Sequence, residues 1–191
     1  MTISDRIRVK DERILSHEYF LLKAVTFDYQ RGDGGWQTQD REVFDRGNAA
    51  TLLPYNLANR TVVLVRQFRL PAFLNGHDDL LIETAAGMLD EETPERRIML
   101  EAEEETGYRL HDVRKIFEAF MSPGAVTEKL HFFVAEYEPS AQVSAGGGDA
   151  HEDIEVLELP FDRALAMMET GEIQDGKTIM LLQYMKLHDA P

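Results

Sequence analysis

The run Thr61-Val62-Val63-Leu64-Val65, closed by Arg66-Gln67-Phe68-Arg69, constrains this chain more than any other feature. Its apolar residues are mostly β-branched, which favours a strand, and a strand with no polar alternation must be covered on both faces. A sheet lying between other layers is therefore required, and the rest of the sequence supplies the parts. Strand-like stretches stand at 50–53, 80–83, 113–120, 129–137 and 154–159, and helical patterns at 94–106, 161–170 and 178–187. The two periodicities are interleaved along the chain, which predicts an α/β or α+β domain built on a mixed sheet.

The first 45 residues read differently. Residues 19–29 are rich in aromatic and β-branched side chains, Arg31-Gly32-Asp33-Gly34-Gly35 supplies a turn, and 36–44 can pair back as a hairpin. Two or three strands alone cannot bury both faces. This segment is expected to form a small N-terminal β-hairpin domain over 1–45 that leans on the main domain (46–191), on a partner subunit, or on both. The balance of 35 acidic against 20 basic residues, a net charge of −15, sets the chain against nucleic acid and anionic membrane. With no cysteine, disulfides, thiolate zinc sites and thiol nucleophiles are excluded. No apolar run approaches the roughly 18 residues of a membrane span, and Met1-Thr2-Ile3-Ser4-Asp5-Arg6 lacks the apolar region of a secretory signal. A cytoplasmic location is expected.

The chemistry concentrates in the helix at 94–106. Thr93 suits the N-cap, Pro94 the first helical position and Gly107 the residue past the end. Ile98, Met99, Ala102 and Thr106 share the arc that would pack inward, and Glu101, Glu104 and Glu105 occupy the adjoining arc. Like charges three and four residues apart repel, and here they lie toward the negative end of the helix dipole. Arg97 can pair with Glu101; the remaining charge calls for a hard divalent cation such as Mg²⁺. A solvated acidic face is the competing reading.

The pattern Gly87…Glu101-Ala102-Glu103-Glu104-Glu105-Thr106-Gly107-Tyr108 resembles the Nudix box, the loop–helix–loop of the Nudix hydrolases. Glu101 falls on the first catalytic Glu, Glu104 and Glu105 on the Glu-Glu pair and Gly107 on the last Gly, while Thr93 stands at the loop-Glu position and Leu100 at the Arg position. The likeness extends through Tyr19-Phe20, Arg41–Gly47, Arg66–Arg69, Ile82–Gly87, Met121–Gly124, Thr127-Glu128, Gly146–Gly148, Glu152–Val156 and Asp175–Thr178. In that detail the chain is similar to the nucleotide-sugar branch, the GDP-mannose pyrophosphatases.

The resemblance implies an α/β/α sandwich and Mg²⁺-dependent cleavage of GDP-mannose to GMP and mannose 1-phosphate. It also implies a homodimer with exchanged N-terminal strands. The implied metal ligands are Glu101, Glu105, Glu152 and the Ala86 carbonyl. The implied substrate contacts are Tyr19, Arg41, Glu42, Arg69, Gly87, Met88, Glu128 and Lys177, with His151 standing where an Asp is expected. Arg69 can grip a phosphate bidentately and Lys177 as a point charge. Glu128 and Glu152 are both open as the general base, and His131 is read as a strand residue without chemistry. ADP-ribose hydrolysis is the alternative within the enzyme class, and a non-catalytic nucleotide-sugar sensor the alternative outside it.

Overall fold

Strands β1 (Ile7–His17), β2 (Leu21–Gln30) and β3 (Trp36–Asp45) form a three-stranded antiparallel sheet in the order β1-β2-β3. The structure is a computed structural model and describes residues 2–188. The β2–β3 hairpin runs in unbroken register from Leu21 opposite Asp45 to Gln30 opposite Trp36. Its turn is closed by the Arg31 N–H donating to the Gly35 carbonyl at 2.8 Å and the Gly35 N–H donating to Asp33 Oδ1 at 2.9 Å. The expected hairpin thus gains a third strand. Strand β1 is dense in charge and carries two register shifts, so no simple alternation announces it.

By contacts the chain divides into two units. One runs to Asn48 and takes in Phe120–Lys129; the other holds Ala49–Ala119 and the chain from Leu130 onward. In the first unit, the loop before Lys129 is laced to the end of β3. Phe44 donates its N–H to the Ala125 carbonyl and accepts from Thr127 N–H, and the Thr127 hydroxyl donates to Asp45 Oδ1 at 2.8 Å.

The second unit is built on strands β4 (Ala49–Asn56), β5 (Thr61–Gln67), β6 (Leu81–Glu83), β7 (Ala85–Met88), β8 (Arg114–Phe120), β9 (Lys129–Glu136) and β10 (Ile154–Pro160). Its helices are α1 (Leu70–Leu74), α2 (Pro94–Thr106), α3 (Phe161–Thr170) and α4 (Gly176–Leu187). The strand order is β10-β5-β4-β9-β8, with β6 paired to β5 and β7 to β4. Strands β4 and β9 are parallel while β10, β5 and β4 are antiparallel, which makes the sheet mixed.

Both faces of its centre are covered, as the Val62–Val65 run requires: all four residues are fully buried. On one face Ala50, Leu52, Val63, Phe133 and Ala135 pack with Ile98 and Ala102 of α2. On the other, Thr51 and Phe132 face toward α4: the Thr51 and Thr84 hydroxyls share a hydrogen bond and Thr84 reaches Thr178, while the Phe132 ring contacts Phe117, which contacts Tyr184. This α/β/α layering is the expected architecture. Two elements were not anticipated. Strand β7 is Ala-Ala-Gly-Met, poor in strand formers, and exists through its ladder to β4. Helix α1 is a five-residue turn whose apolar side chains stay largely exposed, so it carries no helical period.

Candidate active site

Helix α2 begins and ends where local chemistry dictates. The Thr93 side chain accepts from the Arg96 N–H, and Gly107 takes φ 79°, a left-handed conformation in which its N–H caps the Glu103 carbonyl. Two more carbonyls of the last turn are satisfied from outside: Gly147 N–H donates to Glu105 O at 2.9 Å and Gly148 N–H to Glu104 O at 3.2 Å. The glycine-rich loop is therefore the cap of α2, and this docking delivers Glu152 to the helix end. Glu152 is held in turn by the Asp149 N–H, 3.2 Å from its Oε2.

Glu101, Glu104 and Glu105 do not share one environment. Glu105 is 3% exposed and joins Ile98, Ala102 and Thr106 on the buried arc, Glu101 is half-buried, and Glu104 is exposed. Met99, assigned by periodicity to the inward face, is only partly covered. Burial first, then the charges of Glu101 and Glu152, pushes the Glu105 carboxyl up to about 8, against the opposing pull of the Ala86 N–H and of Arg69. Burial likewise raises Glu101, opposed by Arg97 and reinforced by Glu104 and Glu152. Glu101, Glu105 and Glu152 thus converge closely enough to repel one another.

The supporting backbone is β7. The Ala86 N–H donates to Glu105 Oε2 at 3.3 Å. At Gly87 a Cβ would fall on the Glu101 carboxylate, so only glycine permits that approach. Arg97, one turn before Glu101, forms an ion pair with it and lies 3.7 Å from Asp90. A guanidinium therefore reaches Glu101 from inside the helix although Leu100 occupies the position beside it. Met88 ends β7, opposite Ala49 of β4.

Two cations lie on the same unit. Arg69, the residue before α1, donates Nε to Glu83 Oε2 at 2.8 Å, and Lys177 in the first turn of α4 donates to Glu83 Oε1 at 2.7 Å. Lys177 also lies 3.1 Å from Asp175 Oδ1 and is largely covered. Read from sequence as a point charge for phosphate, it is here already paired with two carboxylates. Glu83 and Asp175 escaped the sequence reading; an acid ending the apolar strand Leu81-Ile82-Glu83 was the available signal, since buried charge needs a partner.

Tyr19, Arg41, Glu42 and Glu128 belong to the N-terminal unit. Tyr19 is 83% exposed and packs edge-on against Phe20 with centroids 4.7 Å apart. Arg41 and Glu42 line a groove of about 730 Å³ whose other walls include Val25, Phe27, Phe120 and Val126. Glu128 lies 3.6 Å from Arg46, whose guanidinium also sits over the Phe20 ring at 5.4 Å. His151 is exposed on the loop, its N–H on Asp149 Oδ1. His131 lies 3.3 Å from Glu118.

The family model described as "GDP-mannose pyrophosphatase NudK N-terminal domain" matches residues 6–44, the segment of β1 to β3. A GDP-mannose pyrophosphatase from Salmonella arizonae is 55% identical over 186 residues, covering 97% of both chains. One from Escherichia coli O6:H1 is 53% identical with the same coverage, and one from Citrobacter koseri is 53% identical over 96% of both. The chain belongs to the GDP-mannose pyrophosphatase family. Its fold also matches a solved structure described as an ADP compounds hydrolase, with a TM-score of 0.73 at 16% identity over 96% of both chains. Family membership places the chain among the Nudix hydrolases, and α2 with its Gly87 and Gly107 flanks is the segment that carries the Nudix box.

The donor set suits a hard divalent cation. Among the described residues no three acidic or histidine side chains close into a metal cage. Yet the carboxylates of Glu101, Glu105 and Glu152 bring oxygen donors together with excess negative charge, and Glu101 and Glu105 are raised by burial first and by that charge second. A cation there would relieve the repulsion.

Proposed function

We propose that this protein hydrolyses the pyrophosphate bond of a nucleoside-diphosphate sugar, GDP-mannose to GMP and mannose 1-phosphate, with Mg²⁺ as cofactor. One observation carries the reading. Buried Glu105, half-buried Glu101 and exposed Glu152, which repel one another, share a structural unit with the cations Arg69 and Lys177, in a chain 55% identical over its length to a GDP-mannose pyrophosphatase. A diphosphate resists attack because its oxygens repel a nucleophile, so hydrolysis needs charge neutralisation, positioning and an activated water.

Glu101, Glu105, Glu152 and the Ala86 carbonyl are assigned to the metal. Bound Mg²⁺ would neutralise diphosphate charge and acidify a water. The Ala86 N–H and Arg97 keep the Glu105 and Glu101 carboxylates oriented. Arg69 and Lys177 bind phosphate oxygens, and Gly87 and Met88 border the substrate. Glu104, exposed, adds negative potential at Glu101. The proton of the attacking water goes to a carboxylate, with Glu128 and Glu152 the candidates.

Tyr19, Arg41 and Glu42 are assigned to substrate binding from the N-terminal unit of a partner chain, in a homodimer with exchanged N-terminal strands. The sheet's lack of buried side chains supports that assignment. No described helix is long and apolar enough to cross a membrane, and a cysteine-free chain acting on a nucleotide sugar fits the cytoplasm.

The test is kcat/KM for GDP-mannose and for ADP-ribose, with Mg²⁺ and with chelator. Metal-dependent turnover preferring GDP-mannose is expected; preference for ADP-ribose would replace the substrate, and binding without turnover would make the protein a sensor.

A further inference from the structure

We propose that Glu83 is the positioning residue of a two-cation clamp, holding Arg69 and Lys177 in fixed places for the diphosphate; this rests on the function proposed above. Glu83 is 4% exposed at the end of β6. A lone carboxylate there would be costly, and it is tolerated because each oxygen has its own cation: Oε2 takes Arg69 Nε at 2.8 Å and Oε1 takes Lys177 Nζ at 2.7 Å. Neither oxygen can be given up without releasing one of the two.

The donors left over point to an anion. Arg69 spends only Nε on Glu83, which leaves both terminal nitrogens of its fork, and its side chain stays 42% exposed. Lys177 spends two of its three donors, on Glu83 and on Asp175 Oδ1 at 3.1 Å. Burial opposes the charge on Lys177, but Glu83 and Asp175 outweigh it and hold its pKa above the ordinary value. The clamp therefore holds two cations with donors to spare, their charge balanced by Glu83 and Asp175 until a phosphate arrives.

Its frame is anchored in the core. Asp175 Oδ2 accepts from the Thr178 N–H at 3.0 Å and from the Thr178 hydroxyl at 2.6 Å, and Thr178 Oγ1 accepts from the Thr84 N–H at 2.7 Å. The Thr84 and Thr51 hydroxyls lie 2.8 Å apart. Three residues after Glu83, the Ala86 N–H holds Glu105. A single extended segment thus sets the cations against the metal-site carboxylate. The two partners of Glu83 come from separate elements, the residue before α1 and the first turn of α4, and both belong to the proposed phosphate-binding set.

The experiment compares wild type, E83Q, E83D, R69A and R69A/E83Q in two readouts: GDP-mannose hydrolysis with Mg²⁺, and calorimetric binding of inorganic pyrophosphate, with thermal midpoints as the fold control. Glutamine keeps the shape but offers one acceptor in place of two. We expect E83Q to lower kcat/KM about 30-fold and pyrophosphate affinity about tenfold. E83D, which keeps the charge, should recover part of both. In R69A/E83Q the loss should be smaller than the product of the single losses, because both act through one clamp.

E83Q within about twofold of wild type, or losses that multiply in the double variant, would overturn the proposal. Should E83Q not fold, E83D decides by the same pyrophosphate readout: weakened binding supports the clamp and unchanged binding overturns it. If wild type leaves GDP-mannose intact while E83Q loses pyrophosphate, the substrate is wrong and the clamp stands. If wild type turns over GDP-mannose and E83Q matches it, the clamp is wrong and the substrate stands.

Discussion

The two units of this chain are both sheets, and they are held together by different forces. The N-terminal sheet has a ten-pair β2–β3 ladder in unbroken register, yet none of its described residues is buried, and Val9, Ile14 and Tyr19 are more than half exposed. The other unit buries Leu52, Leu53, Val62 to Val65, Phe132 and Phe133 completely. A ladder hydrogen bond replaces one to water and nets about 1 kcal/mol, whereas each large apolar side chain taken from water contributes roughly 1.5–3 kcal/mol. Hydrogen bonding specifies the geometry of the first sheet without making it independently stable. Burial stabilises the second, and there it raises the Glu101 and Glu105 carboxyls. The carboxylates proposed to hold the metal lie in the unit with the core.

The contrast breaks first at Glu105. E105Q should lower kcat by about a thousandfold, in line with loss of a preorganised charge in a buried site, while a thermal melt shows the metal-free protein still folded. Turnover retained in E105Q would remove the metal-site assignment. The same residue predicts the pH response of metal-free protein. Its carboxyl is raised from 4.5 to about 8 on folding, so the folded state holds the proton more tightly. Stability is full below the unfolded value and is lost as pH rises toward about 8; wild-type melting points should fall across that window and E105Q should flatten the trend.

Core truncation comes next. L52A should cost about 3 kcal/mol in denaturant unfolding, since Leu52 is completely buried between β4 and α2. Removing the α2 cap with T93A should cost about 1 kcal/mol. The smallest effect belongs to the N-terminal sheet: I14A should change chain stability by less than about 0.5 kcal/mol, Ile14 being 64% exposed. Light scattering then sharpens the comparison. If β1 is exchanged in a dimer, I14A should weaken the dimer while leaving the melt of the core unit in place; a wild-type monomer at micromolar concentration would end the dimer assignment.

Periodicity found the layers, the caps at Thr93 and Gly107 found α2 to the residue, and the Phe161–Thr170 helix was read with its observed bounds. It could not find β7, whose Ala-Ala-Gly-Met has no strand preference apart from its partner β4. Nor could it separate the three glutamates of α2, because a helical wheel places them on one arc and says nothing about what packs there. The loop at Gly146–Gly148 read as a glycine run; the structure makes it the cap of α2, and through that cap Glu152 comes to the site.

By itself the sequence determined what is local: which segments are strands or helices, where α2 starts and stops, and that an excess of carboxylate must find a counter-charge. Those follow from covalent neighbours, turn chemistry and side-chain period. Tertiary structure alone decided that Glu105 is buried while Glu104 is not, and that Lys177 is spent on Glu83 and Asp175. Burial and pairing are set by residues far apart in the chain: Glu83 and Lys177 meet across 94 positions. No local rule reaches that far.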